Sequence, residues 1–304
     1  MTMETVPLPR PPFVSVIIPV YNGGAQLPAC LLALEHQTYP RDRYEVIVVD
    51  NGSTDDSRNV AAQHAGVRLE VEPGLGSYAA RNRGIAVAKG DVLAFTDADC
   101  IPAPDWIARG VAQLDRTPDV GLVGGRIEVP SLSGPSTLEL YEGLFEFDQR
   151  RFIEHGRFAM TANLFTRASV LRCVGSFDAQ LKSVGDREWG NRVAAAGYAL
   201  AFGDDVVVRH PARDSMRSLL RKRLRVAGGH HDLAQRNGHS TRSFFAALSQ
   251  QLVRKPLRGA VTLGRHRGGV RARGRVALFG LLVVLCYAEA IERIRLALGG
   301  RSHR

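Results

Sequence analysis

Val92-Leu93-Ala94-Phe95-Thr96-Asp97-Ala98-Asp99 sets an apolar run against two carboxylates one residue apart. The apolar part reads as a strand buried on both faces, the kind found in parallel sheets. Successive side chains of an extended chain point to opposite faces, so positions i and i+2 share one. Asp97 and Asp99 can therefore meet one cation at the carboxyl end of the strand, where open α/β sheets bind their ligands. An isolated Asp-Ala-Asp is equally the composition of a solvated turn, and the flanking sequence decides between the two.

Working outward, the same grammar repeats. Val14-Ser15-Val16-Ile17-Ile18-Pro19 is a β-branched run stopped by proline, and Leu27, Leu31 and Leu34 give helical spacing over about residues 25–36. Tyr44-Glu45-Val46-Ile47-Val48-Val49 is a second buried strand with Asp50 at its end, and Ser53-Thr54-Asp55-Asp56 has the hydroxyl and acids of a helix start. Val67 to Val71 is a short third strand, after which Gly74-Leu75-Gly76-Ser77 leads into an alanine-rich helix ending near Lys89-Gly90. Strand and helix in alternation predict an α/β, doubly wound, mostly parallel sheet, a Rossmann-like αβα sandwich. Tyr21-Asn22, Asp50, and Asp97 with Asp99 then converge along one sheet edge. No GxGxxG follows the first strand, which speaks against a nicotinamide enzyme.

Composition bounds the rest. An apolar content of 45% over 304 residues excludes general disorder and suits one large domain with an appendage. Cys30, Cys100, Cys173 and Cys286 show no paired spacing, so neither a disulfide framework nor a zinc site is expected, and reduced thiols point to the cytoplasm. Residues 1–12 are proline-rich without an apolar core and are expected to be a loose arm. The net charge of +10 is concentrated at the back: residues 211–304 hold 20 basic and 4 acidic side chains, the first 210 hold 20 and 26. Such a tail points to an anionic partner, membrane lipid or nucleic acid. Eight basic and no acidic residues between Arg254 and Arg275 precede an apolar run of 13, Val276 to Ala288. That is short of the roughly 20 residues of a membrane span, and fits either interfacial anchoring or a buried helix packed on the domain or on a second copy.

From Val14 to about His210 the chain resembles the inverting glycosyltransferases of family 2, which have the GT-A fold. The resemblance is carried by Val16-Ile17-Ile18-Pro19-Val20-Tyr21-Asn22, Val48-Val49-Asp50-Asn51-Gly52-Ser53-Thr54-Asp55, Ala80-Arg81-Asn82-Arg83-Gly84, Phe95-Thr96-Asp97-Ala98-Asp99, Thr161-Ala162-Asn163-Leu164-Phe165, Val174-Gly175-Ser176-Phe177-Asp178 and Gly185-Asp186-Arg187-Glu188-Trp189. It implies a GT-A domain over 13–215 and a basic helical region over 216–304. It also implies that Asp50 accepts from a nucleotide base, that Pro19 and Tyr21 wall the base and ribose, and that Asn22, Asn51 and Ser53 lie beside them. Asp97 and Asp99 match the family's DXD motif, which holds Mn²⁺ or Mg²⁺ against the donor diphosphate, a role suited to hard oxygen ligands. His210 resembles the histidine that in many GT-A enzymes completes this metal site or contacts the diphosphate.

Arg81 and Asn82 are expected to open a helix facing the diphosphate, with a solvated basic face as the plainer reading. Arg221, in the basic run 221–225, is placed near the same phosphates, and Gly228-Gly229-His230-His231 is expected as a loop or lid. Asp186 is the candidate general base and Glu188 the alternative. The family usually has Glu-Asp where this chain has Gly185-Asp186. Trp106 is expected to pack or to line the acceptor side, and sugar selectivity to lie in loops such as 124–130 and 159–165. The implied activity is metal-assisted, inverting transfer from a nucleotide-diphosphate sugar, first of all a UDP-sugar, to a hydroxyl of a lipid-linked or glycan acceptor. A peripheral site on the cytoplasmic membrane face is expected, with no nucleic-acid partner and a homodimer left open. The rivals are a catalytically degenerate scaffold that binds membrane or nucleic acid, and a sugar-1-phosphate nucleotidylyltransferase. The latter fits poorly because residues 21–26 hold no cation.

Overall fold

The computed structural model describes residues 10–74, 76–116, 118–131, 135–238, 241–265 and 272–302. In chain order these form β1 (Val14–Val20), α1 (Leu27–Glu35), β2 (Tyr44–Asp50), α2 (Ser57–Gln63), β3 (Val67–Val71), α3 (Ser77–Val87), β4 (Val92–Thr96), β5 (Ile101–Pro102), α4 (Trp106–Asp115) and β6 (Val120–Glu128). There follow α5 (Thr137–Tyr141), a π-helical turn (Glu142–Glu146), α6 (Gln149–Gly156), β7 (Asn163–Arg167), α7 (Ala168–Val174), α8 (Gly185–Ala195) and β8 (Ala199–Arg209). The back of the chain is helical: α9 (Met216–Arg236), α10 (Thr241–Ser249), a second π-helical turn (Gln250–Arg254), α11 (Lys255–Arg265) and α12 (Ala272–Ala297).

One sheet runs in the order β3-β2-β1-β4-β7-β6-β8-β5. Its first four strands are parallel, β7 is antiparallel to both β4 and β6, and β8 is parallel to β6. The parallel half is doubly wound because its strands are apolar on both faces. Val16, Ile18, Val46, Val48 and Ala94 pack with Leu27, Leu31 and Leu34 of α1 and Trp106 and Ile107 of α4. The alternate residues Ile17, Ile47, Val49 and Phe95 pack with Tyr78 of α3, with Trp189 of α8 and with Phe177 of the loop before α8. Each such aliphatic side chain, taken wholly from water, contributes about 1.5–3 kcal/mol. Gly84 lets α3 lie close on β1, because a Cβ there would stand 2.5 Å from Ile17. That approach brings Arg81, one helical turn earlier, over the carboxyl edge of the sheet.

The structure corrects several expectations. Residues 124–128 belong to β6 and 163–165 to β7, so the loops expected there are largely strand. Gly124 and Gly125 are packing glycines: a Cβ would lie 2.6 Å from Ala159 at one and 2.3 Å from the Val206 carbonyl at the other. Gly228-Gly229-His230-His231 is neither loop nor lid but the middle of α9. Gly229 pays its helical entropy cost because a Cβ would stand 2.8 Å from the Ser183 carbonyl, so α9 can lie directly on the chain entering α8. Of the arm expected over 1–12, residues 1–9 lie outside the described residues, while the Pro11 and Pro12 carbonyls accept from Arg43 and Tyr39.

The basic run 221–225 is half buried in α9, where it meets acids from distant segments. Lys222 lies 3.0 Å from Glu146, Arg223 lies 2.6 Å from Glu146 and also pairs with Glu289, and Arg213 pairs with Glu142. Burial alone would raise the Glu146 pKa, but the charges of Arg223 and Lys222 outweigh it and hold the carboxyl well below the usual range. Arg221 itself is exposed on α9, and no ion pair ties it among the described residues. The apolar run 276–288 is part of the 26-residue α12, which is long and apolar enough to cross a membrane. Its inner face, with Leu278, Leu282, Leu285 and Cys286, packs on Tyr141 and Leu219. Val276, Phe279, Val284, Tyr287, Ile291, Ile294 and Leu298 form a continuous exposed stripe on the other side.

Candidate active site

The carboxyl ends of β1, β2 and β4 carry the polar residues the sequence marks out. Asp50, which the resemblance sets against a nucleotide base, is fully buried at the end of β2. Its oxygens accept from the Gly52 and Ser53 amides at 3.2 Å and from Arg58 Nε at 2.6 Å. Burial acts to raise its pKa, yet the hydrogen bonds from Ser53 and Arg58 leave it lowered. Asp50 thus fixes the turn 51–53 as an anion. Asn51 spans to the next loop, donating to the Glu72 and Gly74 carbonyls and accepting from the Gly76 amide. Asn22, in the left-handed region at φ 51°, accepts from the Thr54 amide, while its own amide donates to Ser53 Oγ. Pro19 is half buried at the end of β1, and the ring of Tyr21 stands 64% exposed beside it.

Asp97 and Asp99 follow β4. Arg81, almost wholly buried, donates from Nη2 to Asp97 Oδ1 at 2.5 Å. It does so from the interior of α3, which begins at Ser77, so Arg81 and Asn82 do not open the helix and their backbone N–H groups are not free for phosphate. Asn82 holds structure instead: it donates to the Phe177 carbonyl at 2.7 Å and accepts from the Phe177 amide at 3.1 Å. Asp99 Oδ1 lies 3.7 Å from His210 Nε2, and one ligand atom each from Asp99, Cys100 and His210 falls within 4.8 Å of the others. His210 Nδ1 lies 2.7 Å from the Pro211 carbonyl, which can only accept. An N–H on Nδ1 meets that carbonyl, and Nε2 faces Asp99, the arrangement in which a backbone carbonyl orients a metal-ligating histidine. Phe147 lies against the other face of the imidazole at 4.6 Å. Burial, followed by the nearness of Asp97, raises the Asp99 pKa despite the opposing effect of His210. Carboxylate and imidazole donors of this kind fit a hard divalent cation such as Mn²⁺ or Mg²⁺.

Asp186 enters from α8. Its Oδ1 accepts from the Arg187 amide at 2.9 Å and from the Tyr78 hydroxyl at 3.4 Å. Burial raises its pKa, with Asp97 adding and with the Arg187 amide, Arg81 and Tyr78 opposing. A carboxylate so poised is a stronger base than one in water. Glu188 faces elsewhere, forming a two-point ion pair with Arg192 at 2.6 and 2.9 Å, and Arg192 in turn donates to the Val174 and Ser176 carbonyls. The alternative base is thereby a structural acid. Trp106 is fully buried, donating to Asn163 Oδ1 and lying 4.6 Å from Phe165, which removes it from any acceptor surface.

Three contributors escaped sequence reasoning. Arg58 carries no signal beyond its charge. Val184, at φ 59° and ψ 17°, is a β-branched residue in the left-handed region immediately before α8, a conformation held only where its surroundings enforce it. Tyr78 fills the space beside Gly185, where a Cβ would lie 2.7 Å from its ring. The signal was the departure at Gly185: the ring occupies the space a side chain there would need. A cleft of about 480 Å³ lined by Arg10, Arg43, Asp91 and Arg167 lies at the amino end of β4, away from all of these groups.

A parallel half-sheet with acids at its carboxyl edge, extended by antiparallel strands, is the architecture of a GT-A glycosyltransferase, and known proteins agree. Residues 15–175 match the model of "Glycosyl transferase family 2". The chain is 42% identical over 247 residues to the glycosyltransferase AglE of Haloferax volcanii, covering 80% of this chain and 81% of that one. It is 30% identical over 253 residues to the pre-mycofactocin glycosyltransferase of Mycobacterium tuberculosis, covering 78% of this chain and 52% of that one. Among solved structures, the mannosyltransferase PcManGT from Pyrobaculum calidifontis, in complex with GDP-Man and Mn²⁺, superposes with a TM-score of 0.67 at 22% identity, covering 95% of this chain and 88% of that one. TarS 1–349 of S. aureus in complex with UDP gives 0.51 at 15% identity, covering 95% and 92%. The chain belongs to glycosyl transferase family 2 and is a glycosyltransferase.

Proposed function

We propose that this enzyme is an inverting, metal-assisted transferase moving a sugar from a nucleotide-diphosphate donor, first of all a UDP-sugar, to a hydroxyl of a lipid-linked or glycan acceptor. The observation that carries this reading is the chain of contacts Asp97–Arg81–Tyr78–Asp186. Arg81 donates to Asp97, lies 5.7 Å from the Tyr78 ring, and Tyr78 reaches Asp186, which supports reading the strand-end acids and the α8 acid as one site. Asp186 takes the proton of the acceptor hydroxyl as that oxygen bonds to the anomeric carbon and the bond to the diphosphate oxygen breaks on the opposite side. Asp97, Asp99 and His210 would hold Mn²⁺ or Mg²⁺, which when bound stabilises charge on the departing diphosphate. The base and ribose lie against Pro19, Tyr21 and the turn that Asp50, Asn22 and Ser53 fix.

In this reading residues 13–215 are the transfer domain and 216–304 associate with the cytoplasmic membrane surface. The support is the exposed stripe of α12 together with exposed Phe245, Val253, Leu257 and Val261 among the cations of the preceding helices. The test is hydrolysis and transfer with a panel of nucleotide sugars, with and without Mn²⁺. Asp186→Asn should keep donor binding while lowering turnover by about 10²–10⁴-fold. Unchanged turnover in that variant would remove Asp186 as base, and full activity in chelator would remove the metal.

A further inference from the structure

The layer between α9, α12 and the first π-helical turn carries more buried cations than anions. Glu142, Glu146 and Glu289 are matched by Arg213, Lys222, Arg223 and Lys255, and the buried Glu292 of α12 by Arg295. Two further guanidinium groups close the layer on the side of α8. Arg293 stands one turn beyond Glu289 on α12, and its Nε is buried without a hydrogen-bond partner. Arg187, next to Asp186, has its guanidinium 5.8 Å from the Phe158 ring, and among the described residues neither it nor Arg293 has a carboxylate within ion-pair distance.

His230 lies near enough to both for their charges to act on it. Helices α9 and α12 run side by side in the same direction, pinned where Arg223 meets Glu289 and where Ser302 Oγ donates to Asp232. His230, two turns beyond Arg223, and Arg293, one turn beyond Glu289, both fall between these pins. Gly229 rests on Ser183, which sets His230 against the entrance of α8 and hence beside Arg187. Burial and repulsion from Arg187, Arg293, Lys255 and Arg223 push the His230 pKa well below its ordinary value, so the ring offers a neutral N–H at neutral pH. Buried charge without a counter-charge is costly, and two guanidinium forks with one imidazole N–H are a donor set for a tetrahedral oxyanion.

We infer that Arg187, His230 and Arg293 form a binding seat for a phosphate group, separate from the group Asp99, Cys100 and His210. Its position one residue from the candidate base and against the inner side of α12, whose outer side is the apolar stripe, makes it the seat for a phosphate carried by the acceptor. Only that last identification rests on the transferase reading.

The experiment uses the full chain in EDTA without nucleotide sugar. Calorimetric titration with inorganic phosphate and pyrophosphate, at constant ionic strength in chloride, should show binding, and Arg293→Gln and His230→Gln should weaken it on the order of tenfold each, with Arg293→Lys recovering part. A purely structural Arg293 predicts a lower melting temperature for Arg293→Gln in phosphate-free buffer. The seat predicts an equal or higher one, because an uncompensated charge is removed, together with loss of the phosphate-dependent rise. Flotation with phosphatidylcholine vesicles, with and without phosphatidic acid, separates the sources. An Arg293-dependent gain with phosphatidic acid marks a lipid-borne phosphate; binding of the free anions alone confines the seat to soluble phosphates. Phosphate affinity unchanged in Arg293→Gln, or no binding by the native chain, overturns the proposal. Failure of every nucleotide sugar as a donor would sink the transferase reading and leave the binding result standing.

Discussion

Gly185→Ala tests the link between α3 and the candidate base. The new Cβ would stand 2.7, 2.8 and 2.9 Å from Cε2, Cζ and Cδ2 of Tyr78, inside the distance real Cβ atoms keep. The ring cannot swing aside, since Phe177 lies 5.8 Å away on one side and the Arg81 guanidinium 5.7 Å away on another. Overpacking of this kind costs about 1–3 kcal/mol, less a few tenths gained from replacing glycine in a helix. A displaced ring also takes its hydroxyl from Asp186 and disturbs the Arg81 contact with Asp97, so turnover should fall by more than the loss of folded protein explains. Urea denaturation gives the stability change and single-turnover transfer gives the kinetic one. Tyr78→Ala combined with Gly185→Ala removes the clash, so the double variant should be more stable than the two single costs predict, by on the order of 1–3 kcal/mol. Additive costs within about 0.5 kcal/mol would refute the reasoning, because the two sites would then not compete for the same space.

Asp97→Asn should weaken Mn²⁺-dependent donor binding and leave Arg81 buried without its anion, a loss of about 3–5 kcal/mol in denaturant titrations. Asp186→Asn should do the opposite to stability, raising the melting temperature while turnover collapses: a carboxyl whose pKa is raised by burial is charged at a cost at neutral pH, and the amide avoids it. The pH–rate profile of the native enzyme should accordingly have its acidic limb above the ordinary carboxyl value of 3.8, and lose that limb in the variant. Glu146 titrates in the other sense, its folded pKa lying below the unfolded 4.5, so its contribution is complete above that pH and is lost as pH falls below it. Glu146→Gln should therefore destabilise by about 3–5 kcal/mol at pH 7 and flatten the acid side of the stability curve.

The parallel half of the fold was legible because β1, β2 and β4 are apolar on both faces and are punctuated by proline, aspartate and glycine. The antiparallel half was not, because Val120-Gly121-Leu122-Val123-Gly124-Gly125 looks like a loop when glycine is read as a turn former. Its glycines instead answer to Tyr198, Ala159 and Asn163, more than thirty residues away, and such contacts leave no local trace. The candidate site divides the same way. Asp97, Asp99, His210 and Asp186 could be placed because strand ends and helix starts are local features. The work done by Asn82 and Glu188 could not, since their partners Phe177 and Arg192 are ordinary residues of a packed loop and helix.

The tail shows how a basic composition is divided between the interior and the surface. A run such as Arg221-Lys222-Arg223-Leu224-Arg225 reads as one basic patch, yet a helix turns successive residues by about 100°, so the run is distributed around α9. Lys222 and Arg223 turn inward to Glu146 and Glu289 while Arg221 remains in solvent. The same helix meets Glu142 and Glu146 near its start, rests Gly229 on the chain entering α8, and pairs Arg236 with Asp178 near its end. Those contacts tie α9 both to α12 and to Ser183, the residue before the left-handed Val184 that opens α8, so one helix joins the tail to the chain carrying Asp186.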